Sequence, residues 1–100
     1  MILVISRLRI RPETRAEFVA AVQAALAPSR AEPGNMGYDI SESMSEPNYF
    51  VLMERWKSHA ESRAHLQSPH AQDLLRVMAQ CAAEMPRIEA ITPARVEMLS

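Results

Sequence analysis

Apolar and polar residues alternate along Ile2 to Arg11, a stretch rich in branched aliphatics, and this predicts a strand. Pro12 closes it. From Glu13 to about Ala27 the apolar residues Phe18, Val22 and Leu26 recur every four positions, the spacing of a helix with one buried face. Pro12 and Glu13 suit its start, because no N–H donor is needed there and the positive dipole end favours an acid. Pro33-Gly34 marks a turn, Met36 to Met44 alternates again, and Ser45-Glu46-Pro47-Asn48 has the length and composition of a hairpin turn. Tyr49 to Lys57 reads as a third strand. Ser58, with Glu61 three residues on, forms a capping-box pattern opening a helix to about Gln67. Ser68-Pro69 restarts a helix to about Glu84, Pro86 ends it, and Arg87–Thr92 reads as a fourth strand. Pro93 interrupts a last apolar segment through Val96, Met98 and Leu99. The order is βαββαβ with a split second crossover. It predicts an α+β, ferredoxin-like single domain over residues 1–100, an antiparallel sheet with helices on one face.

Helices on one face leave the other bare, and a lone domain should make that face polar. Here both parities are apolar. Strand one carries Ile2, Val4, Leu8 and Ile10 on one side and Leu3 and Ile5 on the other; strand three carries Phe50, Leu52 and Trp56 against Tyr49, Val51 and Met53. Covering roughly 500 Å² of such surface per chain at about 25 cal/mol/Å² is worth on the order of 10 kcal/mol before association costs. The expectation is a homodimer joined sheet to sheet, with Arg7, Arg9 and Arg55 meeting Glu42 or Glu54 at its rim.

Composition changes little. The chain has 100 residues, 48% hydrophobic and 23% charged, with a net charge of −1, so nothing draws it to nucleic acid. Cys81 is the single cysteine, which excludes an internal disulfide and suits a reducing, cytoplasmic setting. It falls in an apolar stripe with Met78, Ala82 and Met85 and reads as a small buried hydrophobe. The apolar start Met1–Ile5 is too short for a signal peptide or membrane span.

The chemistry concentrates in Tyr49–His70. Glu54 and Trp56 share a strand parity with Phe50 and Leu52. If that face meets the helices, desolvation should raise the Glu54 pKa and fit it to be a general base or substrate anchor; the plainer reading is a strand-end acid paired with an arginine. His65, on the following helix, is a second candidate base, or a helix histidine bonded to a backbone carbonyl. His70 lines a pocket mouth or is exposed, and His59 faces solvent. Spacings of six and five put the three histidines on different faces, so no metal site is expected. Phe18, Tyr38, Phe50 and Trp56 suit a pocket wall for a planar substrate, although core packing explains most of such a set. With only Gly34 and Gly37 there is no glycine-rich phosphate cradle, and no nucleotide or flavin is expected.

The order of elements and these residues resemble the antibiotic biosynthesis monooxygenase family, which includes proteins classed as quinol monooxygenases. The resemblance runs through Arg11-Pro12, Ala31-Glu32-Pro33-Gly34 with Tyr38, Phe50–Trp56, His65-Leu66 and Ser68-Pro69-His70. It implies a dimeric α+β barrel with one pocket per subunit. It also implies oxidation of an electron-rich quinol, phenol or anthrone by molecular oxygen without metal, flavin or haem. On that reading His65 or Glu54 is the base, Trp56 and Tyr38 orient the ring, Phe18 and Phe50 complete the wall, and His70 assists at the mouth. Haem-degrading relatives of the same fold carry an asparagine in strand one, a tryptophan ending strand three and a histidine ligand in the later helix; Trp56 fits, but the other two positions fall on Ser6 and near Leu75, so haem degradation fits poorly. A related isomerase and a non-catalytic small-molecule-binding dimer are the alternatives.

Overall fold

The computed structural model describes residues 1–100 and runs β1 (Ile2–Arg9), a 3-10 turn (Pro12–Thr14), α1 (Arg15–Arg30), β2 (Asn35–Glu42), β3 (Tyr49–Trp56), α2 (His59–Leu66), α3 (Pro69–Cys81) and β4 (Arg87–Ile91). The strands form one antiparallel sheet in the order β2-β3-β1-β4, the α+β ferredoxin-like arrangement that the pattern predicts. No helix is long and apolar enough to cross a membrane.

Several ends differ from expectation, each for a local reason. The helix predicted to stop at Ala27 continues to Arg30 straight through Pro28. Proline there costs one hydrogen bond near the helix end, and the Ala31 N–H still reaches the Ala27 carbonyl. At the other end of the fold, α3 stops at Cys81 instead of Glu84, because Ala82 turns extended and bridges Ile10. The Ala83 N–H donates to the Arg9 carbonyl, while the Arg11 backbone and side chain and Thr14 take up the exposed carbonyls of Gln80, Cys81 and Ala82. Met85 therefore lies outside the apolar stripe and is exposed, and Val96, Met98 and Leu99 are exposed as well. Cys81 is fully buried, as a small hydrophobe.

The core lies between the helical layer and one sheet face. Ile2, Leu8, Phe50, Leu52 and Trp56 pack against Phe18, Val22 and Ala25 of α1 and Leu74, Val77 and Met78 of α3. Glu54 is carried on that same face, four strand positions beyond Phe50, and is buried with it. Alternation along β3 thus delivers a carboxylate into the core.

Candidate functional site

Three short segments meet at the end of β3. Ser58 caps α2 by accepting from the Glu61 N–H at 3.4 Å. The reciprocal half of the expected capping box is missing: Glu61 Oε2 is buried without a hydrogen-bond partner, and its carboxyl packs on Gly34, where any Cβ would collide with it. Ser68 then does two jobs at the break between helices. Its hydroxyl accepts from the Ala71 N–H at 3.2 Å, capping α3, and donates to the His65 carbonyl at 2.6 Å, tying down the end of α2. In an unbroken helix His65 and His70 would stand roughly 140° apart at ~100° per residue. The break brings their rings to 5.6 Å.

His65 is the centre of the arrangement, 3% exposed. Its ring stacks on Trp56 at 4.6 Å and meets Tyr38 edge-on at 5.6 Å. Its two nitrogens face two carboxylates: Nδ1 stands 2.9 Å from Glu32 Oε1, and Nε2 stands 3.6 Å from Glu54 Oε1. Glu54 also accepts from the Trp56 indole N–H at 3.0 Å. Glu32 Oε1 takes a second imidazole, His70 Nε2, at 2.5 Å. The result is a chain of Trp56, Glu54, His65, Glu32 and His70, buried at the first end and partly exposed at the last.

Electrostatics follow from that burial. Desolvation raises the Glu54 pKa above the usual carboxylate value, and neighbouring Glu32 adds to the rise; the Trp56 hydrogen bond and His65 oppose it. The expected burial and raised pKa of Glu54 are present, and the arginine partner of the plainer reading is not. Burial, with the charge of Glu54, pushes the Tyr38 phenol up to about 12. Tyr38 is therefore a donor at neutral pH and not a base.

Glu54, His65 and Tyr38 wall a partly open hollow of about 50 Å³ beneath the helices, lined otherwise mainly by apolar side chains including Leu52, Leu74 and Met78. Trp56 touches the hollow only through its partners. It faces instead an outer groove of about 390 Å³ shared with Glu32, Gly34, Glu61, Ser68 and His70. Phe18 and Phe50 are not part of this site. Their rings pair at 5.0 Å in a separate cleft between α1 and the β2–β3 hairpin. His59 is exposed, with Nε2 3.1 Å from Thr92 Oγ1. Two of the three expected rim arginines find partners inside the chain, Arg7 with Glu89 and Arg9 with Glu46, while Arg55 forms no ion pair there and Glu42 takes Arg15.

The inference from spacing that the histidines point apart is corrected for one pair, since His65 and His70 converge. Glu32 is a site residue that neither periodicity nor parity points to. It lies in the α1–β2 loop, fixed by the turn in which the Asn35 N–H donates to its carbonyl. The Ala31–Gly34 segment with a downstream Tyr38 was the one available signal.

A ferredoxin-like α+β fold thus carries an acid–imidazole chain that runs from a hollow beneath the helices to the surface. The chain belongs to the antibiotic biosynthesis monooxygenase family, whose profile matches residues 1–77. It is similar to the Bacillus subtilis protein named "Putative monooxygenase YcnE", 39% identical over 72 residues, which is 72% of this chain and 76% of that one. The structure of Rv0793 from Mycobacterium tuberculosis superposes with a TM-score of 0.88 at 28% identity, covering 99% of this chain and 98% of that one.

Proposed function

We propose that the protein is a cofactor-independent monooxygenase that oxidises a small electron-rich aromatic, a quinol, phenol or anthrone, with molecular oxygen. The observation that carries this reading is a carboxyl of raised pKa and an imidazole side by side on the wall of an apolar hollow. Such a pair removes an acidic proton from a phenol or an activated carbon where water cannot compete. The substrate anion then supplies the electrons for oxygen itself. At an anthrone-type CH2 centre the two C–H bonds give way to one C=O, and the second oxygen atom leaves as water. Nothing in that balance requires a redox group from the protein.

The roles divide by position. Nε2 of His65 takes the proton beside Glu54, and Nδ1 passes charge toward Glu32 and His70, which carry it to solvent. Trp56 holds the Glu54 carboxyl and the His65 ring in place. Tyr38 offers its O–H to the substrate. A ring needs more room than about 50 Å³, since cavities that hold benzene measure ~150 Å³. Leu66 and Ile88, both part of the lining and both about half exposed, are the side chains placed to give way.

Oxygen uptake with a panel of hydroquinones and anthrones tests the reading. Turnover is expected, and His65→Ala should lower it by about 100-fold or more. Equal rates in parent and variant overturn the assignment. Ligand-dependent thermal stabilisation without oxygen uptake would support the binding-dimer alternative.

A further inference from the structure

We propose that Glu32, His65 and His70 form a binding site for a divalent transition-metal ion of the zinc, cobalt or nickel type. The three residues come from the α1–β2 loop, the end of α2 and the first turn of α3, and their ligand atoms all lie within 4.8 Å of one another. Two imidazole nitrogens are aimed at one carboxylate oxygen, at 2.9 and 2.5 Å. Metal–nitrogen and metal–oxygen bonds of ~2.0–2.2 Å in a tetrahedral shell set ligand atoms roughly 3.3 Å apart. To reach that spacing the two nitrogen–oxygen separations must open by about 0.4 and 0.8 Å, and the two imidazole nitrogens, within 4.8 Å of each other, must sit at a similar distance. Two imidazoles and one carboxylate suit borderline divalent ions better than calcium or magnesium, which take oxygen shells.

The surroundings supply what such a site needs beyond its ligands. A metal-bound imidazole commonly gives its second N–H to a carboxylate, which fixes the ring. His65 already presents Nε2 to Glu54, and Glu54 is itself held by the Trp56 indole. Glu32, Glu54 and Glu61 gather three carboxylates here, and none of them forms an ion pair with lysine or arginine. Glu61 Oε2, on the same outer groove, is buried with no donor at all. The cluster is thus short of positive charge. The groove, about 390 Å³, leaves the remaining coordination positions open to water or a small ligand.

This inference does not rest on the oxygenase reading: a metal on Nδ1 of His65 would occupy the nitrogen given to the proton relay, so the metal-bound state and the proton-relay state exclude each other, and the site is tested without substrate. Chelator-stripped protein is titrated with Co2+ and with Zn2+, following calorimetry and the visible d–d absorption of cobalt. One ion per chain is expected, and Glu32→Gln and His70→Asn should each weaken binding about tenfold or more. His59→Ala should leave it unchanged. Circular dichroism confirms that each variant is folded, and the partly exposed His70 tolerates replacement should Glu32→Gln fail to fold. Absence of binding to the folded parent overturns the site. So does equal affinity in parent and His70→Asn, or loss of binding in His59→Ala. Oxygen uptake by the metal-free protein is read separately, so that either idea can fail alone.

Discussion

Glu54 sits where a charge is costly, on the core face of β3 beside Trp56 and Leu52, and 6% exposed. Its pKa is raised, chiefly by desolvation. The folded protein consequently keeps this proton at pH values where the unfolded chain, with an ordinary value of about 4.3, has released it. The sign follows: this group's contribution is fully present below the unfolded value and is lost as pH rises through the folded one. Glu54→Gln cannot lose a proton. It should therefore gain stability relative to the parent as pH climbs through that window and hold the gain above it. Urea unfolding of both proteins from acid to neutral pH measures the difference. A variant less stable than its parent at neutral pH would mean that His65 and the indole favour the ionised carboxylate more than burial opposes it. Tyr38, pushed up to about 12 by burial, is excluded by the same physics as the base of the proposed reaction, the role given there to His65 beside Glu54.

At the scale of elements, Ser68 determines whether His65 and His70 meet, because it caps α3 and anchors the last turn of α2 with one hydroxyl. Ser68→Ala should cost about 1–2 kcal/mol, lowering the melting temperature of a domain this size by roughly 4–16 °C. Ser68→Asn should keep the cap and recover much of that loss in the same melting experiment. This break was readable in the sequence, since Ser-Pro before a helical pattern is a local signal. So were the four strands and the face that Glu54 shares with Phe50, Leu52 and Trp56, which follow from period-two alternation, although both faces are apolar and the pattern does not say which one meets the helices. Helix ends were not, because distant partners decide them: the Ile10–Ala82 bridge ends α3, and no local rule at Ala82 foretells it. Periodicity likewise gives a face without giving a place along it. Phe18 and Phe50 share the core face with Trp56 yet serve a different cleft, and Glu32 reaches the site from 33 residues before His65.

For the whole molecule the open question is the bare sheet face. Ile5 stands opposite Met53 and Leu3 opposite Ile91, which makes an aliphatic strip on that face. Charged residues flank the strip on the same face, Arg55 beside Leu3, Glu89 beside Ile5 and Asp39 beside Met53, with Arg7 paired to Glu89 and Arg9 to Glu46. These arginines satisfy carboxylates within their own chain, so an association through this face would gain its energy from the aliphatic centre more than from ion pairs across the rim. Met53 is 45% exposed there although it lies mid-strand. We expect the parent to sediment as a dimer at micromolar concentration and Met53→Glu to sediment as a monomer. A buried charge without a partner would cost several kcal/mol in each half of a symmetric contact. The same substitution lies on the opposite face from His65 and should leave the fold intact by circular dichroism. A parent that is monomeric at high concentration would show that the aliphatic strip is tolerated in water, and the expectation of a sheet-to-sheet dimer would fall with it.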